Sequence, residues 1–364
     1  MKIKRIIKIL PLPLLVAALN IMLIAHARES LDAARAGVGL WFNNVLPSVL
    51  PFIIGGNLLI GLGAVSFIGV LLEPVMRRVF NVPGVGGFAL AVGMISGYPV
   101  GAKMVCEMRS RGELSRHEAQ RLISFANNSG PLFILGAVGL GMFGDANIGR
   151  LMLLAHYLGS LAVGLIFRFY KASELSGYAY GGPSRPLHIR AVKAMEQARW
   201  PSGQFPKEMT RTRWPSGQFP KEMTGGRRHD NTSFGQIMRH SVVNAMETML
   251  LVGGFIVLFS VTHRTLEIAG LYYLLGEIFG IPEDLRGGVF GGIIEMTNGV
   301  NQLSILGASP IIISIATALI SFGGISILFQ SLSFISKTDI DVGIYILAKI
   351  AHGVFSGIFI AFLL

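Results

Sequence analysis

Helix-breaking and polar residues interrupt the long apolar runs of this sequence at four places. In the first half they are residues 96–101 (SGYPVG) and 126–131 (ANNSGP), and in the second half residues 295–299 (EMTNG) and 321–324 (SFGG). A helix break exposes backbone amides and carbonyls, which are costly in apolar surroundings unless they line a cavity. Transport proteins place broken helices at the substrate, because a bare helix terminus carries partial charge. The pattern therefore favours binding of a small molecule.

Ionisable residues within the apolar runs are a second kind of candidate. Glu295 lies beside a break and precedes residues 296–336, which carry no formal charge, so it is a candidate proton carrier, ion ligand or substrate contact. Lys103 either faces an anionic substrate or extends to the membrane surface, and the sequence leaves both open. Contacts at helix ends or between helices explain Lys349, His352, His156 and Glu247 at least as well as function does. The candidate substrate-binding residues are Gly97, Tyr98, Pro99, Lys103, Asn127, Asn128, Ser129, Glu295, Thr297, Asn298 and Ser321.

Motifs of enzymes and metalloproteins do not occur in the sequence. There is no Walker A, GxSxG, HExxH or paired-cysteine pattern, and Cys106 is the only cysteine. We therefore predict no catalytic residue, no metal site and no cofactor, and we expect that the protein is not an enzyme.

The composition is that of a polytopic membrane protein. Hydrophobic residues make up 52% of the 364 residues and charged residues 14%, against roughly 25% charged residues in soluble domains. Charge-free stretches occur at 36–72, 79–102, 122–144 and 296–336. Each is longer than the roughly 20 mainly apolar residues that one membrane-spanning helix needs. These features exclude a soluble enzyme, a secreted disulfide scaffold and a disordered chain.

Positive charge orients the predicted spans. The start MKIKRIIK is basic, and residues 171–240 hold 12 Lys and Arg against 5 Asp and Glu, a net charge of +7. Basic segments flank membrane helices on the cytoplasmic side, so this charge does not indicate nucleic-acid binding. We predict four segments: 1–37, a signal-anchor helix and short outer loop; 38–170, membrane repeat 1; 171–235, a basic, disordered cytoplasmic loop with tandem RWPSGQFPKEMT; and 236–364, membrane repeat 2.

Short segments of the first half recur in the second half in the same order and at a nearly constant distance along the sequence, which predicts an internal repeat. A Gly-Gly pair at residue 55 recurs at 253, FNVP at 80 is matched by FGIP at 279, and LISF at 122 recurs at 319. The first copy follows an outward-going span and the second follows the cytoplasmic loop, so they enter the membrane from opposite faces. We therefore predict an all-α polytopic membrane protein with two inverted structural repeats and broken or re-entrant helices, an architecture typical of secondary transporters.

Three stretches of the first half also carry a family resemblance. LPSVLPFIIGGNLL, GMISGYPVGAK and RSRGELSRHEAQRLISFANNSGPLFILGAVG resemble the sporulation integral membrane proteins of the YlbJ or SpoVV family. That family has a Gate-type "nucleoside recognition" membrane domain, distantly similar to concentrative nucleoside transporters. The resemblance implies a sporulation role in which dipicolinate moves from the mother cell toward the forespore. It also implies a multi-pass protein of the mother-cell membrane around the forespore.

The functional hypothesis joins both lines of reasoning. We expect a transporter of a small anionic metabolite, with dipicolinate as the specific choice. A nucleoside transporter and a non-transporting sporulation scaffold that acts through its basic loop remain alternatives. The expected partners are the small-molecule substrate, the lipid bilayer and a coupling ion, a proton or sodium; a homo-oligomer stays open, and nucleic acid is not expected.

Overall fold

The computed structural model describes residues 11–62, 71–172 and 234–364. Among these residues 84% are helical and none is in a strand, which confirms the predicted all-α class. The predicted central loop at 171–235, with both copies of the tandem segment, lies almost wholly outside the described residues.

The amino-terminal part is a chain of consecutive helices. Residues 27–40, most of which we predicted as a short outer loop, are helical, and Asp32 and Arg35 form an ion pair one turn apart at 3.4 Å. Trp41 joins this part to the second half, since its indole N–H donates to the carbonyl of Met249 at 3.0 Å. The helices are α1 (Pro11–Ala25), α2 (Ala27–Leu40), the π-helical turn π1 (Trp41–Val45) and α3 (Leu46–Gly61).

The rest of the first half contains one sharp bend between helices and two helix breaks. A bend of 87° separates the helix Leu71–Phe80 from the next helix. The chain then breaks at residues 97–99 and again at 127–130, as predicted. The helices are π2 (Met76–Phe80), α4 (Val85–Ser96), α5 (Val100–Ser110), α6 (Arg116–Ala126), π3 (Phe133–Met142) and α7 (Ala146–Phe167).

The second half repeats this order of elements. Two short helices meet at a break at Glu295, a second pair meets at Gly323, and an unbroken 22-residue helix follows, as α7 does in the first half. The predicted broken helices are therefore confirmed, whereas the two inverted structural repeats stay a prediction. The helices are α8 (Phe234–Ile268), α9 (Leu271–Phe279), α10 (Glu283–Ile294), α11 (Met296–Ile305), α12 (Pro310–Phe322), α13 (Gly324–Ile335) and α14 (Val342–Leu363).

Several helices have the length and composition of membrane spans. Within the described ranges they are Ala146–Phe167, Phe234–Ile268, Pro310–Ile335 and Val342–Leu363, with the bent pair Leu71–Phe80 and Val85–Ser96 as a further candidate. Such helices satisfy their own backbone hydrogen bonds, which hydrocarbon requires of a spanning segment. The prediction of a multi-span membrane protein is confirmed.

Glycines allow the helix α6 to approach the pair α4 and α5 through its backbone. A Cβ atom at Gly93 or at Gly101 would overlap the carbonyl oxygen of Ala126 at the end of α6. In the second half, a Cβ at Gly299 of α11 would overlap the backbone of Gly292 in α10. Small residues permit this close approach of helices in bilayers, and here they bring the broken ends together.

Two polar contacts join the first half to the loop between α13 and α14. The Arg109 guanidinium donates to both carboxylate oxygens of Asp339, at 2.8 and 2.7 Å. The side-chain amide of Gln120 exchanges two hydrogen bonds with the backbone of Asp341, at 3.2 and 2.7 Å. We call these four residues the loop clasp.

Acid is expected to weaken the loop clasp. The hydrogen bond from Arg109 lowers the pKa of Asp339 from its ordinary value. The pair therefore stabilises the folded chain fully above the unfolded carboxylate pKa of about 3.9, and its contribution is lost as the pH falls through the lower folded-state pKa. Because both side chains are partly exposed, the effect is about 1 kcal/mol or less.

Thermal unfolding of the detergent-solubilised protein tests this expectation. Asp339→Asn should lower the midpoint at neutral pH, and its difference from wild type should vanish in strong acid. Asp32→Asn is the control, because the Asp32–Arg35 pair is more exposed and should contribute less. A midpoint difference for Asp339→Asn that stays constant down to strong acid would contradict the assignment.

Candidate functional site

Three of the four helix breaks meet at one cavity of about 40 Å³. One side is polar and consists of the breaks at residues 97–98, 129–130 and 295–297, with Gln330 of α13. The other side is apolar and comes mainly from π1, α3 and α8. The cavity is lined by Val45, Val49, Gly97, Tyr98, Ser129, Gly130, Phe133, Val252, Ile256, Glu295, Met296, Thr297, Ile327 and Gln330.

The cavity must widen to admit a metabolite. Small-molecule pockets typically have volumes of roughly 300–1,000 Å³, and the present cavity has room for only a few water molecules. Binding of a small molecule here would therefore require a wider cavity.

Five predicted site residues lie in the cavity wall: Gly97, Tyr98, Ser129, Glu295 and Thr297. The structure brings these together from segments almost 200 residues apart in sequence. The remaining candidates, Pro99, Lys103, Asn127, Asn128, Asn298 and Ser321, do not line it. Substrate binding by any of these residues stays a prediction.

The first and second breaks touch each other through glycine. Gly97 has a φ of +83°, a left-handed backbone conformation that side chains disfavour. A Cβ atom at Gly97 would also lie 2.7 Å from the backbone nitrogen of Gly130. Glycine is therefore required here both for backbone conformation and for space, and the two breaks form one continuous part of the wall.

Glu295 occupies the amino terminus of α11 with its own side chain. Its carboxylate accepts the backbone N–H of Asn298 at 2.8 Å and the hydroxyl of Thr297 at 3.1 Å. The side chain is almost completely buried, and the residue also ends α10. The carboxyl group of Glu295 therefore already occupies this helix terminus, where the first backbone N–H groups of α11 would otherwise lack partners.

Asn127 connects the break after α6 to its neighbours and does not line the cavity. Its side-chain oxygen accepts the backbone N–H of Ala102 at the start of α5, at 3.2 Å. Its side-chain nitrogen donates to the hydroxyls of Ser331 and Tyr345, at 3.0 and 2.7 Å. Asn127 thus accepts a backbone N–H that has no partner within the first turn of α5. Through Ser331 and Tyr345 it also links α13 and α14 to that turn.

The other predicted residues outside the wall also have protein partners. Lys103 donates to Asn244 and Thr248 of α8, at 2.7 and 3.3 Å. The side-chain nitrogen of Asn128 donates to the Phe125 carbonyl at 2.8 Å. Asn298 donates to the Ser260 hydroxyl at 2.8 Å, and the Ser321 hydroxyl bonds to His156 at 2.7 Å.

Tyr98 links the cavity to a polar cluster behind it. Its hydroxyl lies 3.2 and 3.0 Å from the carbonyl oxygens of Ile320 and Ser321, and 2.8 Å from Nζ of Lys349. Lys349 also reaches His352, which in turn bonds to the carbonyl of His156. We call Tyr98, His156, Lys349 and His352 the rear cluster; its last three members are essentially inaccessible to solvent.

Hydrogen-bond partners define the tautomers of the two histidines. Nε2 of His156 accepts the backbone N–H of Ser129 at 3.0 Å, so Nδ1 carries the proton and donates to Ser321. Nε2 of His352 lies 2.9 Å from the carbonyl of His156 and must be the donor, which leaves Nδ1 to accept from Lys349. Both histidines are therefore neutral in this arrangement.

Gln330 is a cavity residue that sequence reasoning missed. It lies in the apolar helix α13, its side-chain nitrogen donates to Ser326 at 3.3 Å, and its side-chain oxygen has no partner among the described residues. A buried amide oxygen without a partner is costly. Since Gln330 lines the cavity, a bound molecule or water can satisfy it. A glutamine within a charge-free run was the available signal.

No group of three His, Cys, Asp or Glu side chains suited to a metal ion occurs in the described part of the chain. The two histidines of the rear cluster are occupied by Ser129, Ser321 and Lys349. The polar side-chain groups in the described cavity wall are the hydroxyls of Tyr98, Ser129 and Thr297, the Gln330 amide and the Glu295 carboxyl group.

Comparisons with known proteins agree with this picture. Residues 42–146, which include the first two breaks, match the family model described as Gate: nucleoside recognition. The chain is 37% identical over 353 residues to the sporulation integral membrane protein YlbJ of Bacillus subtilis (strain 168), an alignment that covers 95% of this chain and 80% of that protein. No solved structure matches the chain. At this identity and coverage, the resemblance seen in the sequence is confirmed, and the chain belongs to the YlbJ family of sporulation integral membrane proteins.

Proposed function

We propose that this protein is a carrier that moves a small anionic metabolite, specifically dipicolinate, from the mother cell toward the forespore. The observation that carries the proposal is the cavity at which broken helices from both halves of the chain meet. Secondary transporters bind their substrates at such breaks, near the interface of their repeats. Membership of a sporulation membrane protein family supports the cellular setting.

Two connections between the halves of the chain would have to break for the cavity to open. The hydroxyl of Tyr98, on the break after α4, reaches the carbonyls at the end of α12 in the other half. The loop clasp joins the same two halves through Arg109 and Asp339. In the proposed cycle these two connections break and form as the cavity opens to either side of the membrane.

Glu295 supports coupling of substrate movement to protons. Two carboxylates of a substrate and the carboxylate of Glu295 would repel one another in a site of low dielectric. Uptake of a proton by Glu295 removes this repulsion, so each dianion would be accompanied by a proton. In the present conformation the two oxygens of Glu295 accept hydrogen bonds from Thr297 and Asn298, so the group that would exchange the proton is held in a fixed position at the cavity.

A nucleoside is the second candidate substrate, because residues 42–146 match a model described as nucleoside recognition. The Thr297 hydroxyl, the Gln330 amide and the Glu295 carboxylate line the cavity. These groups can also exchange hydrogen bonds with sugar hydroxyls and base edges.

Uptake into proteoliposomes tests the proposed function. Vesicles with the purified protein should accumulate labelled dipicolinate faster than empty vesicles, and unlabelled dipicolinate should compete while uridine should not. Gly97→Val is the inactive control, because a side chain at that position would collide with Gly130. Uptake of uridine alone would establish the nucleoside alternative. A folded protein that moves neither compound would overturn transport and favour the scaffold, for which deletion of residues 172–231 should abolish sporulation.

A further inference from the structure

Lys349 lies in the middle of α14 and is completely buried. Its Nζ atom has three partners: the Tyr98 hydroxyl at 2.8 Å, the Asn127 carbonyl oxygen at 3.1 Å and Nδ1 of His352 at 3.1 Å. Tyr98 lines the cavity. Asn127 belongs to the break at residues 127–130, of which Ser129 and Gly130 also line the cavity. Lys349 is therefore directly behind the polar wall of the cavity.

The hydrogen-bond pattern accommodates the charged form of Lys349. The Asn127 carbonyl accepts, and Nδ1 of His352 accepts in the neutral tautomer whose Nε2 donates to the His156 carbonyl. The Tyr98 hydroxyl can accept from Lys349 while it donates its own proton to the carbonyl oxygen of Ile320 or Ser321. The ammonium form of lysine has three donors, one for each of these groups.

No carboxylate among the described residues lies within ion-pair distance of this ammonium group. All three of its partners are neutral. A buried charge is normally paired with an opposite charge, because desolvation is otherwise only partly offset. When Lys349 is protonated, its charge has no carboxylate partner among the described residues, and a carboxylate in the adjacent cavity would supply one.

We infer that Lys349 is the residue that makes the cavity selective for carboxylates, and that it acts together with Tyr98. When the cavity widens, a ligand carboxylate replaces the Tyr98 hydroxyl as an acceptor of Lys349, while the Asn127 carbonyl and His352 keep the ammonium in place. This inference rests on the proposed function and deepens it, since it names the ligand class as a carboxylate and names the residue that recognises it.

Lys103 is the natural comparison, because the sequence makes it the more obvious anion contact. It also donates only to neutral side chains, Asn244 and Thr248. These partners lie on α8, however, and neither Lys103 nor either of them lines the cavity. The structure thus provides two buried lysines, of which Lys349 donates to a residue of the cavity wall and Lys103 does not.

The experiment compares binding of a charged ligand with binding of its neutral analogue. The full-length protein is purified in detergent as wild type, Lys349→Gln, Lys349→Arg and Lys103→Gln. Glutamine keeps hydrogen-bond donors but removes the charge, and arginine keeps the charge. Calorimetry then measures the affinities for pyridine-2,6-dicarboxylate and for pyridine-2,6-dicarboxamide, and thermal unfolding confirms that each variant is folded.

We expect Lys349→Gln to bind the dicarboxylate about tenfold more weakly or worse, as loss of a charge-assisted contact predicts. Its affinity for the dicarboxamide should change little, and a purely structural role would weaken both ligands alike. Lys349→Arg should retain part of the preference for the dicarboxylate, and Lys103→Gln should retain all of it.

The outcomes separate this inference from the proposed transport. If Lys349→Gln binds and transports the dicarboxylate as wild type does, the inference is wrong and the carrier stands. If binding depends on Lys349 but wild-type vesicles move nothing, transport is wrong and the inference stands. If the wild type binds both ligands equally well, the inference is wrong, and the uptake assay decides the carrier separately. If Lys349→Gln does not fold, the ratio of the two affinities in Lys349→Arg decides. A preference for the dicarboxylate that is reduced but not lost supports the inference, and an unchanged or absent preference overturns it.

Discussion

Replacement of Glu295 by glutamine is expected to remove the dependence of dipicolinate uptake on external pH. The reason is that, of the residues that the structure describes, Glu295 alone contributes a carboxyl group to the cavity wall, and it is nearly inaccessible to solvent. Glutamine has almost the same shape and keeps one side-chain oxygen for the Asn298 N–H, but it cannot exchange a proton. Transport by this variant would thus be uncoupled from the proton gradient.

Alanine at the same position is expected to have a larger effect. It removes the charge and both hydrogen bonds to Asn298 and Thr297. Loss of such a helix cap costs about 0.5–2 kcal/mol, and here it would also deform the break that lines the cavity. We expect Glu295→Ala to reduce initial uptake about tenfold or more, in line with the contribution of positioned polar groups in a site.

The measurement is the initial rate of uptake into proteoliposomes at several external pH values. Glu247→Gln is the control, because Glu247 is an exposed carboxylate on α8 and should leave the pH profile unchanged. Normal transport by Glu295→Gln with the wild-type pH profile would refute proton coupling at this residue. The carrier proposal would survive that result.

Replacement of Gly93 or Gly101 by alanine is expected to destabilise the protein strongly. In an ordinary helix this change is favourable by roughly 0.5–1 kcal/mol, because alanine restricts the unfolded chain. At these two positions the added methyl group would overlap the carbonyl oxygen of Ala126, and a backbone atom cannot move aside as a flexible side chain can. Forced overpacking costs about 1–3 kcal/mol.

The same substitution elsewhere provides a matched control. Gly55 lies in α3, and a Cβ atom there would have no neighbour within 4 Å. Gly55→Ala should therefore leave the thermal midpoint in detergent unchanged or slightly higher, while Gly93→Ala and Gly101→Ala should lower it and reduce the yield of folded protein. Equal midpoints for all three variants would show that the close approach of α6 to the pair α4 and α5 contributes little to stability.

Much of the site can be predicted from residue types in local sequence. Glycine, proline and asparagine in an apolar run cannot continue a helix without loss of hydrogen bonds. For this reason local residue types alone indicate the breaks at residues 97–99, 127–130, 295 and 323. A carboxylate beside such a break, Glu295, is equally conspicuous because charge is rare in apolar runs.

Lys103 and Lys349 show where local sequence is insufficient. Lys103 follows a break and is the stronger candidate by sequence, yet it donates to Asn244 and Thr248 of α8, which do not line the cavity. Lys349 lies in an unbroken helix and is the weaker candidate by sequence, although His352 follows it by three residues on the same helix face. Which of the two lysines approaches a break depends on how α14 packs against α6, and that contact joins residues more than 200 positions apart.

The sequence by itself determined the class of protein, the positions of the helix breaks and the acidic residue beside one of them, because these follow from local hydrogen bonding and burial. Only the tertiary structure decided that three breaks enclose one cavity, that Glu295 caps its own helix, and that Asn127 satisfies the start of α5. Polar groups within an apolar interior must find partners, and those partners lie in distant segments whose approach is set by glycine-mediated packing.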